Sequence, residues 1–206
     1  MTRIVLVRHG QTAWNKEIRF RGQIDVPLNE FGLEQAEATG RYVAARWPVA
    51  AVYASRMDRA MQTADPIARA HGLTVQPLAG LLDLNFGEWG GLSPDEVAQR
   101  DPDLLRAWYE EPHTVQFPGG ESLGLVRERV LAGLDEVIAR HPAQTIALVS
   151  HNVVNRVLLC AVLGLGNEHF WRLQQDTCAV NLFDVNDSGI FTLILMNDTC
   201  HLHRDL

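Results

Sequence analysis

Apolar positions along the chain fall into short β-branched runs separated by longer stretches of helical spacing. Arg3 to Val7, Ala51 to Ala54, Thr74 to Gln76 and Thr145 to Val149 are predicted strands. Between them, Glu30 to Arg46 is a predicted helix with Asn29 as its N-cap. A second runs from Met57 to Ala70 and stops at His71-Gly72. Ser93-Pro94-Asp95-Glu96 offers a capping serine, a proline at the first helical position and a glutamate three residues on, so a helix begins there. A longer helix is predicted from Glu121 to Arg140, with Leu123, Val126, Val130, Leu134, Val137 and Ile138 at helical spacing and Pro142 beyond its end. Ala179 to Val185 and Ile190 to Met196 flank Asn186-Asp187-Ser188-Gly189, the pattern of an antiparallel hairpin at a sheet edge. Strands alternating with helices in this way predict an α/β sheet with helices packed on it.

The stretch 86–120 breaks this rhythm. It lacks a strong strand pattern and carries Trp89, Trp108, Tyr109 and Phe117 among prolines and glycines. Two readings stand: an insertion or lid over an active site, or a surface excursion with its own aromatic cluster. The whole chain, 206 residues with 47% apolar composition, is expected to form one domain with a full core. No internal repeat or low-complexity linker divides it.

Charge narrows the function. A formal charge of −7 argues against a general nucleic-acid partner, because such proteins neutralise many backbone phosphates with basic faces. A small anionic substrate needs only a local cationic pocket. Cys160, Cys178 and Cys200 are odd in number and have no C-x-x-C spacing, which disfavours a disulfide framework or zinc ribbon and fits a reducing cytoplasm. The apolar run at the N-terminus is too short for a signal-peptide core, and no stretch approaches the roughly 20 residues of a membrane-spanning helix. No membrane partner is expected, and a homodimer stays open.

The chemistry sits at strand ends. The first strand leads into Arg8-His9-Gly10-Gln11-Thr12, with Asn15 three residues on. The carboxyl ends of strands in a parallel sheet are where ligands bind. Arg8 offers a fork of donors for phosphate oxygens, His9 a ring nitrogen able to attack phosphorus, Gly10 a close backbone approach, and Asn15 an amide donor. A lone Arg-His pair would read as an ordinary helix-start loop. Here two more strand ends carry the Arg56 and Arg59 segment and Ser150-His151-Asn152. Several cationic and hydrogen-bonding groups converging on one point are what phosphoryl transfer requires, since charge spreads over three equatorial oxygens.

With these segments in order, the chain resembles the histidine phosphatase superfamily, also called phosphoglycerate mutase-like. Leu6-Val7-Arg8-His9-Gly10-Gln11-Thr12 with Asn15, then Arg59-Ala60-Met61-Gln62-Thr63-Ala64, then Val149-Ser150-His151 carry the likeness over nearly the whole chain. The resemblance implies a three-layer α/β/α sandwich, with a mostly parallel sheet and an antiparallel edge hairpin. It implies that His9 becomes phosphohistidine, that Arg8, Arg59 and His151 bind the phosphoryl group with help from Asn15, and that no metal or other cofactor is used. Thr12, Arg21, Gly22 and Gln23 lie in the loop such proteins place around the substrate, and Asn152 follows the second histidine. Arg56 is read as structural.

The family usually places its general acid as a glutamate three residues before an aromatic-glycine pair. Here that place holds Asp83, in Asp83-Leu84-Asn85-Phe86-Gly87, one methylene shorter; Glu88 is the rival, better read as a solvated loop carboxylate. The pattern is nearest to bacterial broad-specificity phosphatases and metal-independent phosphoserine phosphatases. Phe86 stands where the latter carry a histidine, which implies a more apolar or permissive pocket. A small phosphorylated metabolite is the expected partner. A strict phosphoserine phosphatase, a cofactor-dependent phosphoglycerate mutase and an idle phospholigand-binding module are the alternatives. His201 is expected to line the pocket if the tail folds back; with His203 it reads as a polar tail rather than a metal pair. Glu121 is read as a charge at the start of the long helix, with the phosphate region as its other possible neighbour.

Overall fold

A computed structural model describes residues 1–17 and 19–202. His203 lies outside them. Along the chain run β1 (Thr2–Arg8), α1 (Ala13–Glu17), α2 (Glu30–Ala44), β2 (Val49–Ala54), α3 (Asp58–Ala70) and β3 (Val75–Pro77). There follow α4 (Pro94–Arg100), α5 (Pro102–Glu110), α6 (Leu123–Arg140), β4 (Thr145–Ser150), α7 (Asn152–Val162), β5 (Val180–Val185) and β6 (Phe191–Asp198). The six strands form one sheet in the order β3-β2-β4-β1-β5-β6. β3, β2, β4 and β1 are parallel neighbours, while β5 and β6 add antiparallel at one edge. This is the expected sandwich. The central strands are apolar throughout because both faces are covered.

Alternate side chains of the strands enter two separate cores. Ile4, Leu6, Ile146 and Leu148 pack with Val126, Val130 and Leu134 of α6 and Val154 and Leu158 of α7. Val5, Val7, Ala147 and Val149 face the other way, onto Tyr42 and Val43 of α2 and Ala60, Ala64 and Ile67 of α3. The caps act as the sequence predicts: Asn29 accepts from the Gly32 amide, and Ser93 and Glu96 form a reciprocal capping box. Glu121 lies just before the helix, which is capped by Ser122. No helix among the described residues is long and apolar enough to cross a membrane.

The stretch 86–120 holds an aromatic cluster of its own. Phe117 is the hub of an aromatic cluster, with ring centroids 5.0 Å from Phe86, 5.1 Å from Trp89 and 5.2 Å from Trp108. The cluster is continuous with the core on the α6 and α7 face. Through Phe86 it also reaches the cleft described below. Two of its turns meet backbone to backbone. Gly87 has φ +53°, and a Cβ there would lie 2.0 Å from the Pro118 carbonyl oxygen. Gly72, the stop of α3, also has a positive φ of +66° but has nothing within 4 Å of a Cβ. Gly72→Ala is therefore expected to cost about 1 kcal/mol from backbone strain alone. Gly87→Ala should cost roughly 3 kcal/mol or more, because overpacking adds to the strain. Urea denaturation of the two variants measures the difference, and equal losses would contradict it.

Candidate active site

The parallel pairing of β1 with β4 sets Arg8 level with Ser150, so the residues that follow, His9 and His151, leave the sheet side by side. The His9 amide donates to the Ser150 carbonyl at 2.9 Å. The two imidazole centroids are 5.2 Å apart. β2 lies on the far side of β4 and delivers Ser55 and the start of α3, which carries Arg59. A cleft of about 130 Å³ opens here, lined by Arg8, His9, Arg19, Phe20, Arg21, Gly22, Asp83, Phe86, Asn152 and Val153.

His9 is fixed in one tautomer. Its Nδ1 lies 2.7 Å from the Gly10 carbonyl oxygen, an acceptor only, so Nδ1 carries the proton and Nε2 the lone pair. Burial pushes its pKa well below 6.5, reinforced by His151, Arg8, Arg59 and Arg21. Gly10 is required because a Cβ there would lie 2.7 Å from the Gly32 carbonyl oxygen.

His151 is the mirror case. Arg59 Nε donates to its Nδ1 at 3.2 Å, which leaves the proton on Nε2, and that atom is buried without a hydrogen-bond partner. Burial lowers its pKa to about 3; Arg59 and Arg21 act in the same direction and Asp83 opposes them. His151 is the N-cap of α7, so the first amides of that helix open beside the cleft, a favourable place for an anion.

Asp83 Oδ1 accepts from the Leu84 amide at 2.9 Å and Oδ2 from Arg59 Nη2 at 3.1 Å, with His151 Nδ1 3.5 Å away. Burial alone would raise its pKa. His151, Arg59 and Arg21 outweigh that and hold the carboxyl below the ordinary range. Its loop is clamped from outside. Arg129 donates to the carbonyls of Gly80, Leu82 and Asp83, while Glu121 pairs with Arg129 at 2.8 Å and accepts from the Asn85 amide at 2.9 Å. Glu121 is therefore a brace of the Asp83 loop instead of a plain helix-start charge. Arg129 was missed; its sequence signal is only a cation two turns into a helix that opens beside an acid.

Several expected substrate contacts serve the scaffold. Asn15 does not line the cleft: its Oδ1 accepts from the Thr12 amide at 2.8 Å and the Thr12 hydroxyl at 3.0 Å. Thr12 in turn accepts from Arg21 Nη1 at 2.6 Å. Gln23 donates to the Asp83 carbonyl at 3.0 Å and also stays outside the cleft. Arg59, expected on the phosphoryl group, is wholly buried and does not line the cleft. Its donors go to His151, Asp83, the Gly22 carbonyl at 2.7 Å and the Ile24 carbonyl at 3.0 Å. His201 does not line the cleft either. It stacks on Tyr42 and lies 3.0 Å from the Thr39 hydroxyl, so the tail docks on α2. Glu88 pairs with Arg100 at the surface, and Arg56 is exposed. Gly22, Phe86 and Asn152 line the cleft as expected, joined by Arg19, Phe20 and Val153, which sequence reasoning did not select. Among the described residues, no group of three or more His, Cys, Asp or Glu side chains is arranged to hold a metal ion.

The chain matches the model of the histidine phosphatase superfamily, branch 1, over residues 4–199. It is 36% identical over 202 residues to phosphoserine phosphatase 1 of Hydrogenobacter thermophilus, covering 98% of this chain and 95% of that one. Among solved structures it is similar to YhfR of Bacillus stearothermophilus, with TM-score 0.93 and 29% identity over 98% of this chain and 100% of that one. A mycobacterial glucosyl-3-phosphoglycerate phosphatase matches with TM-score 0.87 and 26% identity over 96% and 99% of the two chains. With the motif residues converging on one region and the match spanning nearly its full length, the chain belongs to the histidine phosphatase superfamily.

Proposed function

We propose that this protein is a metal-independent phosphomonoesterase that transfers the phosphoryl group of a small phosphorylated metabolite to His9 Nε2 and then to water. The observation that carries this reading is the tautomer of His9: a neutral ring whose Nδ1 proton is held by the Gly10 carbonyl, leaving Nε2 as the nucleophile. His151 Nε2 and Arg8 Nε are buried donors without hydrogen-bond partners, and both suit phosphoryl oxygens. In the first half-reaction the Nε2–P bond forms as the ester P–O bond breaks, and the departing alkoxide takes a proton from Asp83. In the second, the Asp83 carboxylate accepts a proton from water as that water attacks phosphorus, breaking the N–P bond and restoring His9.

Asp83 must bring a proton to the first step, yet it is ionised in the ligand-free site. A dianionic phosphoryl group beside it repels the carboxylate, so one proton enters with the substrate. Phosphate monoesters lose their second proton near pH 6. Hydrolysis is therefore expected to favour acid: kcat/KM for an alkyl phosphate should fall about tenfold per pH unit above roughly pH 6.5. A pH-independent kcat/KM from 6 to 8 would contradict this.

The leaving group meets Phe20, Phe86 and Val153, an apolar wall, with Arg19 at the rim. Arg19 is already paired with Glu17 and Glu96, both at 3.4 Å. This favours broad specificity over recognition of one amino acid. The likeness to a phosphoserine phosphatase keeps L-phosphoserine on the panel of substrates, beside 3-phosphoglycerate, α-ribazole phosphate and sugar phosphates.

Asp83→Asn should lower kcat for an alkyl phosphate by about 10²- to 10⁴-fold and barely affect p-nitrophenyl phosphate, whose phenolate leaves without protonation. Both assays run in EDTA, and absence of turnover by the wild type on every ester would sink the proposal. Electrostatics also fix a stability trend. His9 and His151 titrate below 6.5 in the fold, so the unfolded chain binds more protons as pH falls below 6.5. Stability is full above that pH and declines below it, by roughly 2 kcal/mol per histidine at pH 5. Urea midpoints at pH 7 and 5 measure the loss, and His151→Asn should reduce it. An unchanged midpoint would contradict the assignment.

A further inference from the structure

Asp83 stands on the least regular backbone of the site. After the short helical turn Ala79–Leu81 the chain runs to Phe86 without helix or strand, so no backbone ladder sets where the carboxylate lies. Side chains set it instead. The carbonyls of Gly80, Leu82 and Asp83 accept from Arg129 of α6 at 2.9, 2.6 and 3.1 Å. The Leu81 carbonyl accepts from the Ser150 hydroxyl at 2.7 Å, and Gln23 gives Asp83 a second donor at 3.0 Å.

Arg129 reaches those carbonyls from a fixed orientation. Its Nε and Nη2 meet the two Glu121 oxygens at 2.8 and 3.1 Å, a bidentate pair that locks the plane of the guanidinium. Glu121 closes the strap: its carboxylate accepts from the Asn85 amide at 2.9 Å, and its own amide donates to the Asn85 carbonyl at 2.9 Å. Residues 80, 82, 83 and 85 are thus tied to one ion pair. Its members are only 22% and 19% exposed, so solvent does little to loosen the geometry. Neither of them lines the cleft.

The acid held by this strap is short. The family likeness puts a glutamate at this place, and the chain carries an aspartate. An aspartate carboxyl carbon is placed by the backbone and one torsion, χ1, whereas a glutamate has a further torsion with which to make up a backbone displacement. Proton transfer needs the acid within hydrogen-bond reach of the departing oxygen. A backbone shift therefore passes undiminished to the Asp83 oxygens. We propose that Arg129 and Glu121 are positioning residues for the leaving-group proton, fixing residues 80–85 at the distance from which Asp83 reaches the departing oxygen. As the ester P–O bond breaks, that proton passes from Asp83 to the alkoxide. The inference rests on the phosphomonoesterase reading and concerns its proton-transfer step.

Arg129→Lys keeps the charge and loses the fork. Glu121→Gln loses the ion pair, and it carries the test if the lysine variant does not fold. The quantity compared is kcat/KM, which reports transfer to His9, for an alkyl phosphate that needs the proton and for p-nitrophenyl phosphate that does not. Vanadate affinity is measured alongside. Each variant should lose about tenfold or more on the alkyl ester and stay within about threefold of wild type on the aryl ester and on vanadate. Adding Asp83→Glu should shrink the alkyl loss, because the longer carboxylate can follow the loosened backbone. A merely structural role would lower all three readouts together and in both backgrounds. Equal losses on the two esters, an undiminished alkyl rate, or an alkyl loss of the same size with Asp83 and with Asp83→Glu would overturn the proposal. Wild-type turnover of both esters in EDTA tests the phosphomonoesterase reading by itself, so the two failures are told apart.

Discussion

The buried guanidinium of Arg59 is the joint on which the site turns. It makes four hydrogen bonds to three separate segments: the Gly22 and Ile24 carbonyls of the loop after α1, the Asp83 carboxylate after β3, and the His151 ring after β4. Each contact constrains a different part of the chemistry. The bond to His151 selects the tautomer with its proton on Nε2, the bond to Asp83 helps hold that carboxyl ionised, and the carbonyl contacts fix the loop carrying Arg21.

Around that joint the fold supplies register. The parallel pairing of β1 with β4 and of β4 with β2 places three strand ends in a row, and the loops leaving them carry His9, His151 and, through α3, Arg59. The Asp83 loop is tied to β4 by the Ser150 hydroxyl, which donates to the Leu81 carbonyl, and is held by Arg129 and Glu121 from outside the cleft. The aromatic cluster around Phe117 anchors one wall of the cleft. Stability and specificity are joined there, since Phe86 belongs both to the cluster and to the cleft.

Much of this was legible in the sequence. The six strands and four of the helices are written in runs and caps that obey local rules, and their ends differ by at most two residues. The helix Asn152–Val162 escaped because nine of its eleven residues are buried, which erases the amphipathic period. The segments that bring His9, His151 and Arg59 together were legible because they follow strands immediately. The packing of Gln23 and His201 was not, because the partner a polar side chain meets can lie far along the chain. Gln23 turns to the Asp83 carbonyl and His201 to Thr39. Composition and spacing do not encode those choices.

The central claim is that His9 attacks phosphorus through Nε2 because Nδ1 is committed to Gly10. Mixing the protein with an ester substrate, quenching in alkali within the first turnover and mapping the phosphorylated residue by mass spectrometry and phosphorus NMR measures this directly. The expected result is one phosphoryl group on His9, bonded to Nε2. A phosphoryl group on Nδ1 or on another residue, or none at all while hydrolysis proceeds, would contradict it.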